Sequence, residues 1–193
     1  MKATILLATL KSEGLSNTET LSQFLQDRMA QRRIDCKIVK LVNHEILPGT
    51  CSDMGAGDEW PRILQQVLES DVVIFATPIW WDNHSSLMQR VIERLDELHD
   101  KVMAGEPSPL EGKAGGIVIT GDSDGAQHVI GHIGNFFNAI GLVLPPYATL
   151  SVLWERQAKG EHPTREELLA KYEADYASAA DKMIAGLETF ARK

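Results

Sequence analysis

The sequence predicts an α/β fold of three layers, with a five-stranded parallel sheet covered by helices on both faces. Three observations carry this. Short apolar runs alternate five times with longer stretches of helical period. The runs are continuously apolar instead of alternating, as expected of strands buried on both sides. And 193 residues, 44% of them hydrophobic and 24% charged, suffice for the core of a single domain over residues 1–193.

The elements follow in order. Ala3 to Ala8 is the first strand, and Ser16, Asn17, Thr18 and Glu19 start a helix with Leu21, Leu25 and Met29 on one stripe. Lys37 to Val42 gives a second strand, followed by a loop at 43–57 long enough to suggest function. Asp58 is expected to cap a helix through Pro61, Ile63, Leu64, Val67 and Leu68. Val72 to Ala76 is the clearest buried strand, stopped at Thr77-Pro78, and a helix runs from about Ser85 with Met88, Val91, Ile92 and Leu95 inward. Residues 99–112, with Gly105, Pro107 and Pro109, predict a surface loop. Gly116 to Ile119 is a fourth strand, Ala126 to Ile140 a helix, and Leu142-Val143-Leu144 opens a fifth strand. Thr164-Arg165-Glu166-Glu167 is a capping box that starts a long helix reaching about Arg192. Right-handed crossovers leave an open sheet of order 2-1-3-4-5 as the best fit to this length.

Composition excludes several classes. A net charge of −8, from 19 basic and 27 acidic residues, leaves no basic patch for nucleic acid; Arg28, Arg32 and Arg33 mark the solvated end of a helix. Cys36 and Cys51 form no CxxC pair, so neither a disulfide framework nor a cysteine zinc site is expected. The apolar run at the N-terminus is too short for a signal peptide and no window reaches membrane-spanning length, which makes the cytoplasm the default.

In an open parallel sheet a ligand binds beyond the carboxyl ends of the strands, where strand order reverses. Three loops there have unusual composition. Thr9 to Thr18 offers hydroxyls and a helix N-terminus that favours an anion, although Ser16 and Glu19 suit a plain capping box as well. Neither GxxxxGK nor GxGxxG is present, which counts against a nucleoside triphosphatase and a dinucleotide-binding fold. The loop at 77–86 carries Trp80 and Trp81 side by side, which suits covering something flat or packing at an interface; capping the core by one of the rings is the lesser alternative. Thr120-Gly121-Asp122-Ser123-Asp124-Gly125 allows close backbone approach, and its aspartates suit either a helix cap or a divalent cation.

Histidines add candidates without settling roles. His128 and His132 stand four residues apart, a helical spacing compatible with zinc, but no Glu follows His128 and no third ligand is visible, so a solvated or packing pair is expected. His44 and His84 flank the proposed site as potential proton donors. No side chain stands out as an acid, base or nucleophile, and no metal site is assigned.

The string Ser70 to Trp81, followed by Ser86 and a helix with Arg90 and Arg94, resembles the superfamily of NAD(P)H-dependent FMN reductases and multimeric flavodoxin-like quinone reductases. Ser16-Asn17-Thr18 is similar to its phosphate loop, Gly121 to Ala126 to its third flavin loop, and Ile140 to Pro146 to its entry into the last strand. The resemblance covers roughly residues 3–155. Two departures stand out: Glu13 offsets Lys11 in the phosphate loop, and only Cys51 remains where iron–sulfur members carry a cysteine cluster. The resemblance implies a flavodoxin-like fold and an FMN-dependent oxidoreductase, moving a hydride from NAD(P)H through FMN to a quinone or flavin acceptor. It places the FMN phosphate at Lys11, Ser16, Asn17 and Thr18, the ring against Pro78, Ile79, Trp80 and Trp81, and the closing loop at Thr120, Gly121, Asp122, Asp124 and Gly125. With the tryptophan pair it also implies a homo-oligomer, a dimer or tetramer. The alternatives are a one-electron carrier, which an acidic surface suits, and a binding protein that has lost FMN.

Overall fold

The structure, a computed structural model, describes residues 1–121, 124–154, 160 and 162–191. Its strands are β1 (Lys2–Leu7), β2 (Asp35–Lys40), β3 (Val72–Trp80), β4 (Asn83–His84), β5 (Ala114–Gly121) and β6 (Thr149–Leu153). The helices are α1 (Asn17–Gln31), α2 (Trp60–Leu68), α3 (Ser86–Arg94), α4 (Asp96–Met103), α5 (Ala126–Ala139), α6 (Arg165–Lys171) and α7 (Ala177–Ala191). Five parallel strands run in the order β2-β1-β3-β5-β6, and the two-residue β4 pairs antiparallel with the end of β3. This is the expected order, with β4 inserted in the count.

Continuous apolar runs serve two cores because successive side chains point to opposite faces. Ala3, Ile5 and Leu7 of β1 with Val72, Ile74 and Ala76 of β3 pack beneath α1 and α7, against Leu21, Leu25 and Met183. Leu6 with Val73 and Phe75 faces α2, α3 and α5, against Val67, Val91 and Phe137. Both faces are covered by helices, as a parallel sheet requires.

Several boundaries differ from expectation. The second strand is Asp35–Lys40 and not Lys37 to Val42, because the chain turns into a 3-10 helix at Leu41–Asn43. Thr77-Pro78 does not stop β3: β1 pairs only as far as Ala76, so the N–H that Pro78 lacks is missed on one side alone, and Pro78 pairs in register with Thr120. Residues 99–112 are not all loop, since α4 continues through Met103 with Asp96 and Glu97 in its first turn, Lys101 in its last and Leu98 buried. Leu142-Val143-Leu144 does not open the last strand. Val143 makes one bridge to Ala114, the consecutive prolines 145 and 146 offer no N–H, and the sheet resumes at Thr149 after Tyr147 turns at φ 65°. The terminal helix is interrupted by a π turn at Tyr172–Tyr176, which faces Tyr172 into the core and lets its hydroxyl donate to the Asn17 carbonyl at 3.2 Å. The Thr164–Glu167 capping box is formed as expected.

Candidate functional site

Beyond the carboxyl ends of β1, β3 and β5, three loops enclose a cleft of about 540 Å³. Thr9, Leu10, Lys11, Ser16, Asn17 and Thr18 form one side, Pro78 to Asp82 the second, and Thr120, Gly121 and Asp124 the third. Eleven sequence-predicted site residues are thereby brought together; Gly125 lies one residue beyond the lining, and Asp122 falls outside the described residues. Thr9, Leu10 and Asp82 are additions.

Short polar links fix the loops. The Ser85 hydroxyl donates to the Ala8 carbonyl at 2.7 Å, and the Thr77 hydroxyl accepts from the Ser85 N–H at 3.0 Å, which ties the second loop to the end of β1. The Thr18 and Thr120 hydroxyls meet at 2.6 Å, joining the start of α1 to the end of β5. Ser16 donates to Thr9 at 2.9 Å and accepts the Glu19 N–H at 3.2 Å, so it caps α1. The capping box is not closed, because the Glu19 carboxylate turns to Lys40 at 2.8 Å. Lys11 Nζ donates to the Leu15 carbonyl at 2.8 Å and so folds its own loop, while Glu13 is exposed. This loop therefore presents hydroxyls and a helix N-terminus, with its lysine charge spent on backbone oxygen.

The second loop is a strained hairpin. Trp80 pairs with Asn83 across a two-residue turn in which Trp81 (φ 48°) and Asp82 (φ 61°) both occupy left-handed backbone. Two positive φ values define the turn that suits twisted strands, and glycine or asparagine is usual there. Trp80 is 53% exposed and Trp81 97%. Gly125, at φ 100°, makes the seat: a Cβ there would lie 2.8 Å from the Asp82 Cα. Gly121 likewise passes so close to Ile79 that a Cβ would meet its Cδ1 at 2.9 Å.

Neither flanking histidine lines the cleft. His44 Nδ1 lies 3.2 Å from Glu59, and neither residue borders the cleft. His84 is buried with Nδ1 3.2 Å from the Ser85 carbonyl and Nε2 3.1 Å from His132 Nδ1 on α5. Burial, with His132 and His128 nearby, holds its pKa below the ordinary value.

The loop at 43–57 contributes nothing to the cleft and is clamped from α3. Arg90 donates to the Ile46 carbonyl at 2.6 Å, and Arg94 to those of Leu47 and Cys51 at 2.8 Å each. Arg94 also reaches Asp58, which accepts the N–H groups of Leu47, Met54 and Trp60. Glu59 holds the N-cap position of α2, so Asp58 belongs to the loop clamp as much as to the helix. Sequence reasoning missed this. The signal was there, since Arg94 sits on the same stripe as Met88, Val91 and Leu95, where an arginine needs a buried partner.

A mononucleotide fits such a cleft: a hydroxyl-rich helix N-terminus for an anion, an indole pair for a flat ring, and two glycine positions where a side chain would crowd the loops. A family model described as NADPH-dependent FMN reductase matches residues 1–153. The chain is 30% identical over 158 residues to 8-demethyl-8-aminoriboflavin-5'-phosphate synthase of Streptomyces davaonensis, covering 77% of this chain and 62% of that protein. It is 33% identical over 153 residues to a divalent metal cation transporter, MntH, of Mycobacterium bovis, covering 77% of this chain but 22% of that protein. The chain thus spans less than two thirds of either curated relative. Among solved structures, RosB with a bound 8-demethyl-8-formylriboflavin-5'-phosphate intermediate matches all of this chain and 79% of its own, at TM-score 0.80 and 26% identity. The NAD(P)H:acceptor oxidoreductase FerB from Paracoccus denitrificans shares the fold at TM-score 0.61 and 13% identity, over 98% of each chain.

Proposed function

This chain belongs to the NADPH-dependent FMN reductase family, and we propose that it binds FMN between its three loops as an oxidoreductase for a quinone, free flavin or similar acceptor. The observation that carries the reading is the convergence of the predicted loop residues on one cleft, locked by the Thr18–Thr120 contact at 2.6 Å. FMN, when bound, supplies the hydride chemistry between NAD(P)H and acceptor. The protein positions and shields. Ser16, Asn17 and Thr18 hold the phosphate at the start of α1, and Lys11 shapes their loop by its bond to Leu15. Pro78, Ile79, Trp80 and Trp81 border the ring, and Thr120, Gly121 and Asp124 form the opposite wall, with Gly125 next to them in the chain. Exposure of Trp80 and Trp81 at the cleft mouth supports a homo-oligomer, a dimer or tetramer, which light scattering of the eluting protein tests by mass. No described helix is long and apolar enough to cross a membrane; residence in the cytoplasm is part of the proposal.

The likeness to the aminoriboflavin phosphate synthase favours a second reading, in which the bound flavin is substrate and not a recycled cofactor. One experiment separates the cases: reconstitution with FMN, removal of free flavin, NADPH addition without oxygen, then mass spectrometry of the released flavin. Retained flavin that bleaches and leaves at unchanged mass supports the reductase. Retained flavin that bleaches with neither NADPH nor NADH indicates a one-electron carrier. In a parallel aerobic sample given an amino donor, an altered mass of the released flavin indicates the synthase reading, and no retained flavin overturns all three.

A further inference from the structure

His128 and His132 stand one turn apart on α5, both exposed, on an open surface depression that also takes in Asn83, Gln127 and Gly131. No residue lining it lines the cofactor cleft. One hydrogen position beside it follows from its partner. The Ser85 carbonyl can only accept, so His84 Nδ1, 3.2 Å away, carries the hydrogen. The 3.1 Å contact joins His84 Nε2 to His132 Nδ1 and sets the orientation of the His132 ring. His84 engages only Nδ1 of His132, and the exposed ring keeps Nε2 on its other side. An imidazole that gives its distal N–H to a fixed acceptor while its other nitrogen stays free is the arrangement that prepares histidine to ligate a metal. On a helix the residue four positions away shares the same face, so the His128 and His132 side chains lie within reach of one metal ion.

We propose that His128 and His132 chelate a first-row divalent cation of the zinc, nickel and copper class, with His84 as the positioning residue behind His132. Among the described residues no three His, Cys, Asp or Glu side chains converge on one point. The protein therefore supplies two nitrogens, and the remaining positions belong to water or to a small molecule in the depression, as in an open site. Imidazole selects this class over magnesium and calcium, which take oxygen ligands. Because His84 closes the Trp80–Trp81 hairpin onto α5, the chelate sits directly behind the turn that borders the cofactor cleft.

The test is calorimetric titration of Zn²⁺ into the untagged full chain in metal-depleted buffer. One Zn²⁺ per chain is expected, with affinity at least about tenfold weaker in H128A and in H132A. His128 is exposed and H128A leaves the fold intact; H132A also removes the partner of buried His84, so its fold is checked by circular dichroism before titration. H84F keeps the bulk and removes the contact to His132 Nδ1, and it weakens Zn²⁺ about 10- to 100-fold, the range for loss of an outer-layer partner. Cu²⁺ supplies the second readout: its electron spin resonance shows two coupled imidazole nitrogens in the parent and one in H128A. Unchanged Zn²⁺ binding in the H128A/H132A double variant, half-stoichiometric binding that bridges two chains, or Cu²⁺ retaining two nitrogens in H128A overturns the proposal.

Discussion

Arg94 and Asp58 face each other at 2.6 Å with neither side chain exposed to solvent. Burial acts to raise the Asp58 pKa, but the Arg94 guanidinium and the N–H groups of Met54, Trp60 and Leu47 outweigh it and bring it down to about 2. The ordinary value is 3.8, so the ionised form is favoured by folding. Its contribution is complete above pH 4 or so and is lost as pH falls through the window down to about 2. Breaking the pair from one side strands a buried charge, at a cost of about 3–5 kcal/mol. R94M is therefore expected to lower the urea midpoint sharply at neutral pH, and D58N to flatten the acid dependence between pH 4.5 and 2. A parent-like midpoint in R94M removes the clamp from the stability of the loop at 43–57.

Trp81 is held in left-handed backbone while almost wholly exposed, so it contributes strain to folding and little packing. Left-handed backbone costs a non-glycine residue about 1–2 kcal/mol. W81G should raise the thermal midpoint or leave it unchanged. If the indole borders the flavin, the same substitution weakens FMN by the worth of an aromatic contact, about 0.5–1.5 kcal/mol or roughly 2- to 12-fold. Thermal melts and flavin fluorescence titration read the two effects separately. Lower stability with unchanged FMN affinity contradicts both.

How far the sequence disclosed this architecture differs between strands and contacts. The three-layer sheet was legible because adjacent Ile74 and Phe75 are both apolar and both buried, as in a strand covered on two faces, and right-handed crossovers then narrowed the strand order. The cleft was legible because hydroxyls, paired indoles and glycines gathered where a parallel sheet must bind. The late start of β6 was not, since Leu142 to Leu144 is apolar enough for a strand and only the following prolines deny it a ladder. Nor were the long-range polar contacts. Thr18 meets Thr120 across 102 residues and His84 meets His132 across 48, pairings fixed by tertiary approach and invisible to periodicity.

Gly125 is the seat of the hairpin. Alanine there meets two penalties, a φ of 100° and a Cβ 2.8 Å from the Asp82 Cα. Each strained residue costs about 1–3 kcal/mol, and backbone cannot give way as a flexible side chain can. G125A should lose that much stability and should also weaken FMN, since the displaced turn carries Trp80 and Trp81. G121A is the comparison. Its clash is with the mobile Ile79 Cδ1 at 2.9 Å, so its loss of stability is the smaller of the two in chemical denaturation. The reverse order would mean that the third loop, and not the hairpin, is the rigid partner.

Cys36 and Cys51 differ in reactivity for reasons of place. Burial, with help from the Asp35 carboxylate, pushes the Cys36 thiol up to about 12, leaving almost no thiolate at neutral pH. Cys51 is exposed on the clamped loop. Iodoacetamide at pH 8 should label Cys51 within minutes and spare Cys36 until the chain unfolds, as peptide mass mapping would show. The labelled loop should keep its fold, because Arg94 holds the Cys51 carbonyl and not its sulfur. R94M should therefore release Cys36 no faster than global unfolding, while rapid labelling of Cys36 in the native parent would show that β2 opens at the sheet edge on its own.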